Sequence, residues 1–329
     1  MIDLKNRQVL VTGASGLIGI ELVKLLVSRG AKVQAVSLDD VPSIREMFGE
    51  NIEFIKGDLR DFEFCMKISK NKEFVFHLAG IKGSPEVAVG RPNTFFVNTT
   101  LFNLNVIEAC RRNSVDHFLY TSSIGVYAPS SIFEEDSVWS TFPSPNDRFA
   151  GWAKRMGELQ IEGAKLEHSW QGTYIVRPAN VYGSWDNFDL KTAMVIPSLI
   201  ARLQNGENPL RVWGDGSAIR DFVHAKDVAR AMLFVMDNDI HEPVNVGSGL
   251  GISIKELANL IVSHFDSVEI EWDTSKPSGD KMRVMDMKRL TQAGFKPEIS
   301  IQSGIKLTVD WFRNNPPNTG RYNAFREQS

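Results

Sequence analysis

The sequence predicts an α/β fold: a doubly wound parallel sheet with a smaller α/β lobe interleaved into it. Three observations carry this. Short apolar runs rich in β-formers alternate with longer amphipathic stretches through the first half of the chain. A glycine-rich turn, VTGASGLIG, joins the first run to the first amphipathic stretch. The 329 residues, 43% hydrophobic and 23% charged, suffice for two structural units with buried cores.

In chain order, 8–12 (QVLVT) predicts the first strand and 17–28 the first helix, with Gly30 where a left-handed cap is wanted. Strands follow at 32–36, 53–56, 74–78, 117–122 and 173–176, and helices at 62–69, 95–112 and 151–165. After about residue 178 the alternation fails. Helices at 194–204, 226–236 and 254–265 then sit among loops rich in Gly, Pro and Asn, and the segment after Asn314 has a disorder-prone composition. Charge excludes some classes: 37 Lys+Arg against 40 Asp+Glu give −3, without the basic footprint of a general nucleic-acid binder. No apolar run is long enough to span a bilayer and no basic leader opens the chain, so no membrane association and a cytoplasmic location are expected. Cys65 and Cys110 lie in apolar helical contexts and predict buried thiols rather than a disulfide or a metal site.

The glycine turn carries the first chemistry. Gly13 lets the chain double back, Gly16 lets a pyrophosphate approach the backbone, and Gly19 lets helix and strand pack closely. The free N–H groups around Ser15, Gly16, Leu17 and Ile18 at the helix start attract the anion. This predicts a Rossmann-type dinucleotide site, with an expected division into 1–178 plus about 221–246 for the dinucleotide unit, about 179–220 plus 247–314 for a substrate lobe, and 315–329 as a tail. An acid about 20 residues on holds the ribose of NAD. Asp39 stands there, with Asp40 beside it, so NAD is expected, although Ser37 and Leu38 occupy the strand end itself and NADP stays possible. Asp58 is a candidate acceptor for the adenine amino group, or a helix cap. His77 ends an apolar strand and is read as a core histidine.

With VTGASGLIG, GDL at 57–59, HLAG at 77–80, TSSIGVY at 121–127, AKRMGE at 153–158, RPANVYG at 177–183, GDGSAIRDFVH at 214–224 and NVGSG at 245–249 in view, the chain resembles the extended short-chain dehydrogenase/reductases. Within them it is similar to the NAD-dependent nucleotide-sugar epimerase/dehydratase group and, in NVYGSWDNFD, AMVIPSLI, KPSGDKMRVMDMKRL and GFKPEISIQSGI, to GDP-fucose synthase relatives. The resemblance implies a nucleoside-diphosphate sugar as substrate, hydride transfer at a sugar carbon, and a homodimer built on the helices at 95–112 and 151–165. It implies that Leu59, Leu78, Ala79 and Gly80 line the cofactor and that Asn98 orders Lys154 through a water. Lys154 would hold the nicotinamide ribose and Ser123 the reacting sugar oxygen. Arg220 would grip the diphosphate, Asn180 a sugar or phosphate oxygen, and Asp280 and Arg283 would close over the nucleotide. Val195, Arg202, Arg211 and Trp213 would line the base region.

The same resemblance implies a Tyr four residues before Lys154, and Ala150 stands there instead. The Cys and His of the GDP-fucose synthase pattern are Gly125 and Met194, and the acid pair of the dehydratases is Ile124-Gly125, which argues against dehydration. Three explanations are open: a substitution made to trap a complex, a different acid–base group, or a binding homologue without turnover. Tyr127 is the first candidate substitute, with Tyr182 and Asp186 behind it.

Overall fold

The computed structural model describes residues 2–38, 48–49, 52–81, 85–276 and 280–315. Asp39, Asp40 and the tail from 316 on therefore lie outside the described residues.

Strand β1 (Gln8–Thr12) leads through the glycine turn into α1 (Leu17–Ser28), then β2 (Lys32–Ser37), β3 (Glu53–Lys56), α2 (Phe62–Ser69) and β4 (Phe74–His77). Next come α3 (Pro85–Gly90), α4 (Pro92–Arg112), β5 (His117–Thr121), the short β6 (Ile132–Phe133), α5 (Arg148–His168) and β7 (Thr173–Pro178). Among the described residues the largest sheet has seven strands in the order β11–β7–β5–β4–β1–β2–β3, all pairs parallel, with β11 spanning Val244–Val246. The order reverses at β1 and β4, and in such sheets the crevice beyond the strand ends at that point receives the ligand.

The pleat explains the two-sided core. Val9 and Val11 pack with Leu22, Leu26, Val228 and Met232 on one face, whereas Leu10 packs with Val75, Phe102, Val106 and Ile161 on the other. Helix α7 (Ala225–Asp237) lies beside α1 on the first face, and α2, α4 and α5 cover the second. Cys65 and Cys110 are free thiols buried in the second layer, and burial pushes the Cys65 thiol up to about 12.

The second sheet follows the order β12–β10–β14–β6, with β8 (Asn180–Tyr182) also paired to β10 (Ile219–His224). Here β12 is Gly251–Ser253 and β14 is Met282–Met285. Two further strands, β9 (Leu210–Trp213) and β13 (Ile270–Asp273), pair beside it. Helices α6 (Val195–Gln204), α8 (Ile254–Val262), α9 (Lys288–Gln292) and α10 (Ile301–Asn314) complete the chain. Ile196, Leu199, Leu257, Ile305 and Phe312 share one core with Tyr182. Thus β10 runs in the second sheet, and the return to the large one is made by α7 and β11. No helix among the described residues is long and apolar enough to cross a membrane.

Candidate functional site

The β1–α1 turn has the shape of a phosphate cradle. Gly13 holds φ +67°, and a Cβ there would lie 2.8 Å from the Ala79 backbone N. On Gly19 a Cβ would meet the Gly13 carbonyl at 2.3 Å. Neither position admits a side chain. Gly16 caps α1 with no side-chain hydrogen bond, and the first turn of α1 contains no acid, so the positive end of the helix dipole is left uncompensated by the protein. These features fit a dinucleotide pyrophosphate. Ser15 Oγ and Ser37 Oγ, 2.6 Å apart, tie the turn to the end of β2.

Residues 78–80 follow β4, against the Gly13 backbone, and a Cβ on Gly80 would lie 3.8 Å from Lys154 Nζ. Lys154, on α5, donates to the Thr121 carbonyl at 2.8 Å, so its ammonium spans the ends of β4 and β5. Burial lowers its pKa to about 8, with Glu158 opposing. His77 beneath is fully buried between Thr12 Oγ1 (2.7 Å) and Asn103 Oδ1 (3.0 Å). Burial, then the Lys154 charge, lower its pKa to about 3, as suits a neutral core histidine.

Ser123 opens a single 3₁₀ turn, Ile124–Val126, its Oγ accepting from Gly125 N at 3.0 Å. The start of α5 presses on this turn so closely that a Cβ on Gly151 would stand 2.2 Å from the Gly125 carbonyl. Over Gly125 itself lies Asp147, the residue before α5. A Cβ on Gly125 would be 3.3 Å from Asp147 Cβ and 3.5 Å from both Asp147 Cγ and Ser123 Oγ.

Behind the turn is a buried charged network. Arg177 and Glu158 form an ion pair at 2.7 Å, 1% and 2% exposed. Ser122 donates to Glu158 Oε1, and Arg177 also donates to Tyr127 Oη and the Glu135 carbonyl. Tyr127 Oη donates to Asn245 Oδ1 at 2.6 Å, and burial pushes its pKa up to about 12. The expectation that Tyr127 exchanges protons in place of the missing Tyr thus meets a hydroxyl committed to the core. Tyr182 is also buried, its ring edge-on to Phe222 and His224.

On the substrate side, Arg220 of β10 and Arg283 of β14 are direct register partners on neighbouring parallel strands. Burial, then the Arg283 charge, lower the Arg220 pKa, while Asp280 and Asp147 oppose. Arg283 pairs with Asp147 at 2.7 Å and lies 3.8 Å from Asp280, yet its Nε is buried without a hydrogen-bond partner. The two acids that next follow Arg220 in sequence have partners of their own. Asp221 accepts from Ser248, Gly249 and Met285, and Asp227 from Glu298, Ile299 and Arg230.

Other predicted residues have protein partners. Asp58 is forked by Arg60; burial opposes, but these bonds prevail and hold its carboxyl below the usual range. Arg60 also donates to Asn98 Oδ1 at 2.9 Å, and Asn98 Nδ2 donates to the Thr94 carbonyl. The asparagine that reaches the α5 backbone is Asn103, at the Ala153 carbonyl. Leu59 is a core residue. Asn180 Nδ2 donates to the Asp221 carbonyl at 2.8 Å, bracing β8 to β10. Val195 begins α6, where Met194 is the cap. Arg202 pairs with Glu207 and Arg211 with Glu271, while Trp213 is half exposed beneath Lys276. Sequence reasoning missed Asp147. Its one signal was an acid seven residues, two helical turns, before Lys154.

Three comparisons place these features. The chain is 31% identical over 324 residues to dTDP-4-dehydro-6-deoxy-D-allose reductase of a Streptomyces species, covering 94% of this chain and 97% of the relative. It is 29% identical over 322 residues to GDP-L-fucose synthase 1 of Arabidopsis thaliana, covering 94% of each. The structure of UDP-N-acetylglucosamine 4-epimerase from Methanobrevibacter ruminantium, in complex with UDP-N-acetylmuramic acid, superposes with a TM-score of 0.84 at 28% identity, over 94% of this chain and 99% of that one. The model of the NAD dependent epimerase/dehydratase family matches residues 9–247. With the glycine cradle, Ser123 and Lys154 at the strand ends within that span, the chain belongs to the NAD dependent epimerase/dehydratase family.

Proposed function

We propose that the protein is a nicotinamide-dependent reductase or epimerase of a nucleoside-diphosphate sugar. The observation that carries this is the pairing of two buried-side guanidiniums, Arg220 and Arg283, across adjacent strands, near the Ser123 turn and Lys154. A diphosphate presents two vicinal anionic groups at the spacing of neighbouring strands, and guanidinium matches phosphate oxygens in planar geometry.

When bound, the dinucleotide would exchange a hydride with the sugar carbon. The chain supplies the rest. The Gly13–Gly19 turn holds the pyrophosphate, Lys154 offers an ammonium to the nicotinamide ribose, and Ser123 Oγ holds the reacting sugar oxygen by a hydrogen bond. Ile124 and Gly125 carry no acid, so elimination of water from the sugar is not supported. NAD is the reading that the spacing of Asp39 supports, with NADP the alternative. The cofactor would occupy the large sheet's end and the sugar nucleotide the side of the second sheet.

Val97, Leu101 and Leu104 form one exposed stripe on α4, and Leu159 and Leu166 another on α5, faces suited to a second copy of the chain. Free, buried thiols suit a reducing compartment such as the cytoplasm. The function is tested by calorimetry with NADH, NADPH and a panel of GDP-, UDP- and dTDP-sugars, followed by product analysis. Binding of neither class would overturn it; the ratio of NADH to NADPH affinity settles the cofactor, and light scattering the dimer.

A further inference from the structure

Asp147 is the residue in this site whose placement the family pattern does not explain. It is the N-cap residue of α5, where an aspartate ordinarily accepts from the helix's first N–H groups, yet it makes no such bond. Its carboxylate instead crosses to Arg283, 136 residues away, at 2.7 Å. The rest of its side chain lies over the bare Cα of Gly125, in the space it shares with Ser123 Oγ.

We propose that Asp147 is the proton-transfer residue of this site, parked on Arg283 until a ligand's diphosphate takes over that guanidinium. This rests on the sugar-nucleotide reading above. Oxidising a sugar hydroxyl, or reducing the corresponding ketone, requires a group that takes or gives one proton, and Ala150 has none to offer. Tyr127 is committed to Asn245 and Arg177. Asp147 is a carboxylate whose Cγ, like Ser123 Oγ, stands 3.5 Å from the point that a Cβ on Gly125 would occupy. Among the described residues, the charged groups that face Asp147 are Arg283 and Asp280 from the β14 side and Arg220 from β10; its chain neighbour Arg148 stacks on Phe149.

While Asp147 is bound to Arg283, its carboxylate is occupied by that guanidinium. A diphosphate on Arg220 and Arg283 takes over that guanidinium and frees the carboxylate to accept a proton from the sugar hydroxyl. In the oxidative direction the sugar O–H bond breaks, the proton passes to Asp147 Oδ, and the electron pair left on oxygen closes the C=O bond while the carbon gives up its hydrogen, with both electrons, to the dinucleotide. Reduction returns the same proton. The acid–base group is thereby engaged only when a diphosphate is in place.

The test titrates UDP, GDP and dTDP into the full-length protein without added cofactor, near pH 6, in two buffers of different ionisation enthalpy. The protons exchanged on binding are expected to differ between wild type and Asp147→Asn, since the terminal phosphate ionises alike in both and only the wild type frees a carboxylate. Asp147→Asn is expected to bind the preferred nucleotide about tenfold more tightly, because no internal anion competes. Since Asp147 makes no capping bond, the substitution leaves the start of α5 intact. With sugar nucleotide and cofactor, Asp147→Asn is expected to lose about 10²-fold or more in kcat with KM unchanged or lower, and Asp147→Glu to recover part of it. Equal affinity and equal proton exchange in wild type and Asp147→Asn, or an unaltered kcat, would overturn the proposal while leaving the sugar-nucleotide reading standing. Failure of the wild type to bind any of the three nucleotides would remove both.

Discussion

Two charged clusters flank the Ser123 turn, and they are built on opposite principles. Behind it, Arg177 and Glu158 pair in a dry environment with Ser122, Tyr127 and Asn245 hydrogen-bonded around them, and the Glu135 carboxylate accepts from Asn245 N and lies 3.5 Å from Arg289. In front of it, Arg220 and Arg283 stand side by side with Asp147 and Asp280 as partial counter-charges, and a buried guanidinium N–H without a hydrogen-bond partner. The first arrangement fixes the turn. The second leaves one N–H of Arg283 open to a further acceptor. What separates a structural from a functional cluster here is the completeness of the pairing rather than the number of charges.

Substitutions that break the contrast should differ in kind. Glu158→Ala strands the buried Arg177, and a loss of about 3–5 kcal/mol in denaturant unfolding is expected, enough to consume much of an ordinary domain's stability. Arg283→Ala should leave stability within about 1 kcal/mol of wild type, yet weaken UDP, GDP or dTDP binding about tenfold or more. If the two exchanged behaviours, the division would be wrong.

The next test concerns Ala150. Introduced into the wild type, Ala150→Tyr should change kcat little, because Asp147 already moves the proton; introduced together with Asp147→Asn it should recover about 10²-fold in steady-state kinetics. A large gain in the wild type would instead mark position 150 as an intact site lacking only its hydroxyl.

Two pH effects are smaller. Lys154 keeps its charge below about pH 8 and loses it above, so cofactor affinity should fall as pH rises through 8, and Lys154→Met should flatten that profile in calorimetry. The folded-state pKa of His77 lies below its ordinary value, at about 3. The unfolded chain therefore binds a proton that the native state refuses between about pH 6.5 and 3, and stability should decline with falling pH across that window. Above it His77 has no effect. His77→Gln should reduce the slope of unfolding free energy against pH in this range.

What could be read from the sequence was what is local. Alternating periods placed six strands of the large sheet to within a residue or two, because a strand buried on both faces is apolar throughout and a covering helix is not, and missed the three-residue β11. Glycine spacing exposed the cradle, because close backbone approach excludes every other residue there. Helix α5 starts three residues before its predicted position, at Arg148, and α4 at Pro92, where a proline suits the first turn. What stayed hidden was pairing at a distance. Nothing near residue 147 announces a partner at 283, nothing in TSSIGVY says that Tyr127 points inward, and Asp58 looked available until Arg60 was seen to hold it.

The contact between Gly151 and the Gly125 carbonyl has a mechanical consequence. Because no side chain separates them, α5 cannot slide against the Ser123 turn without collision. Asp147 and Lys154 ride on that helix about 10 Å apart along its axis, one against Arg283 and the other against the end of β5. The helix thus works as a ruler: whatever sets the seat of one ligand sets the distance to the other, and a displacement at either end is felt by both.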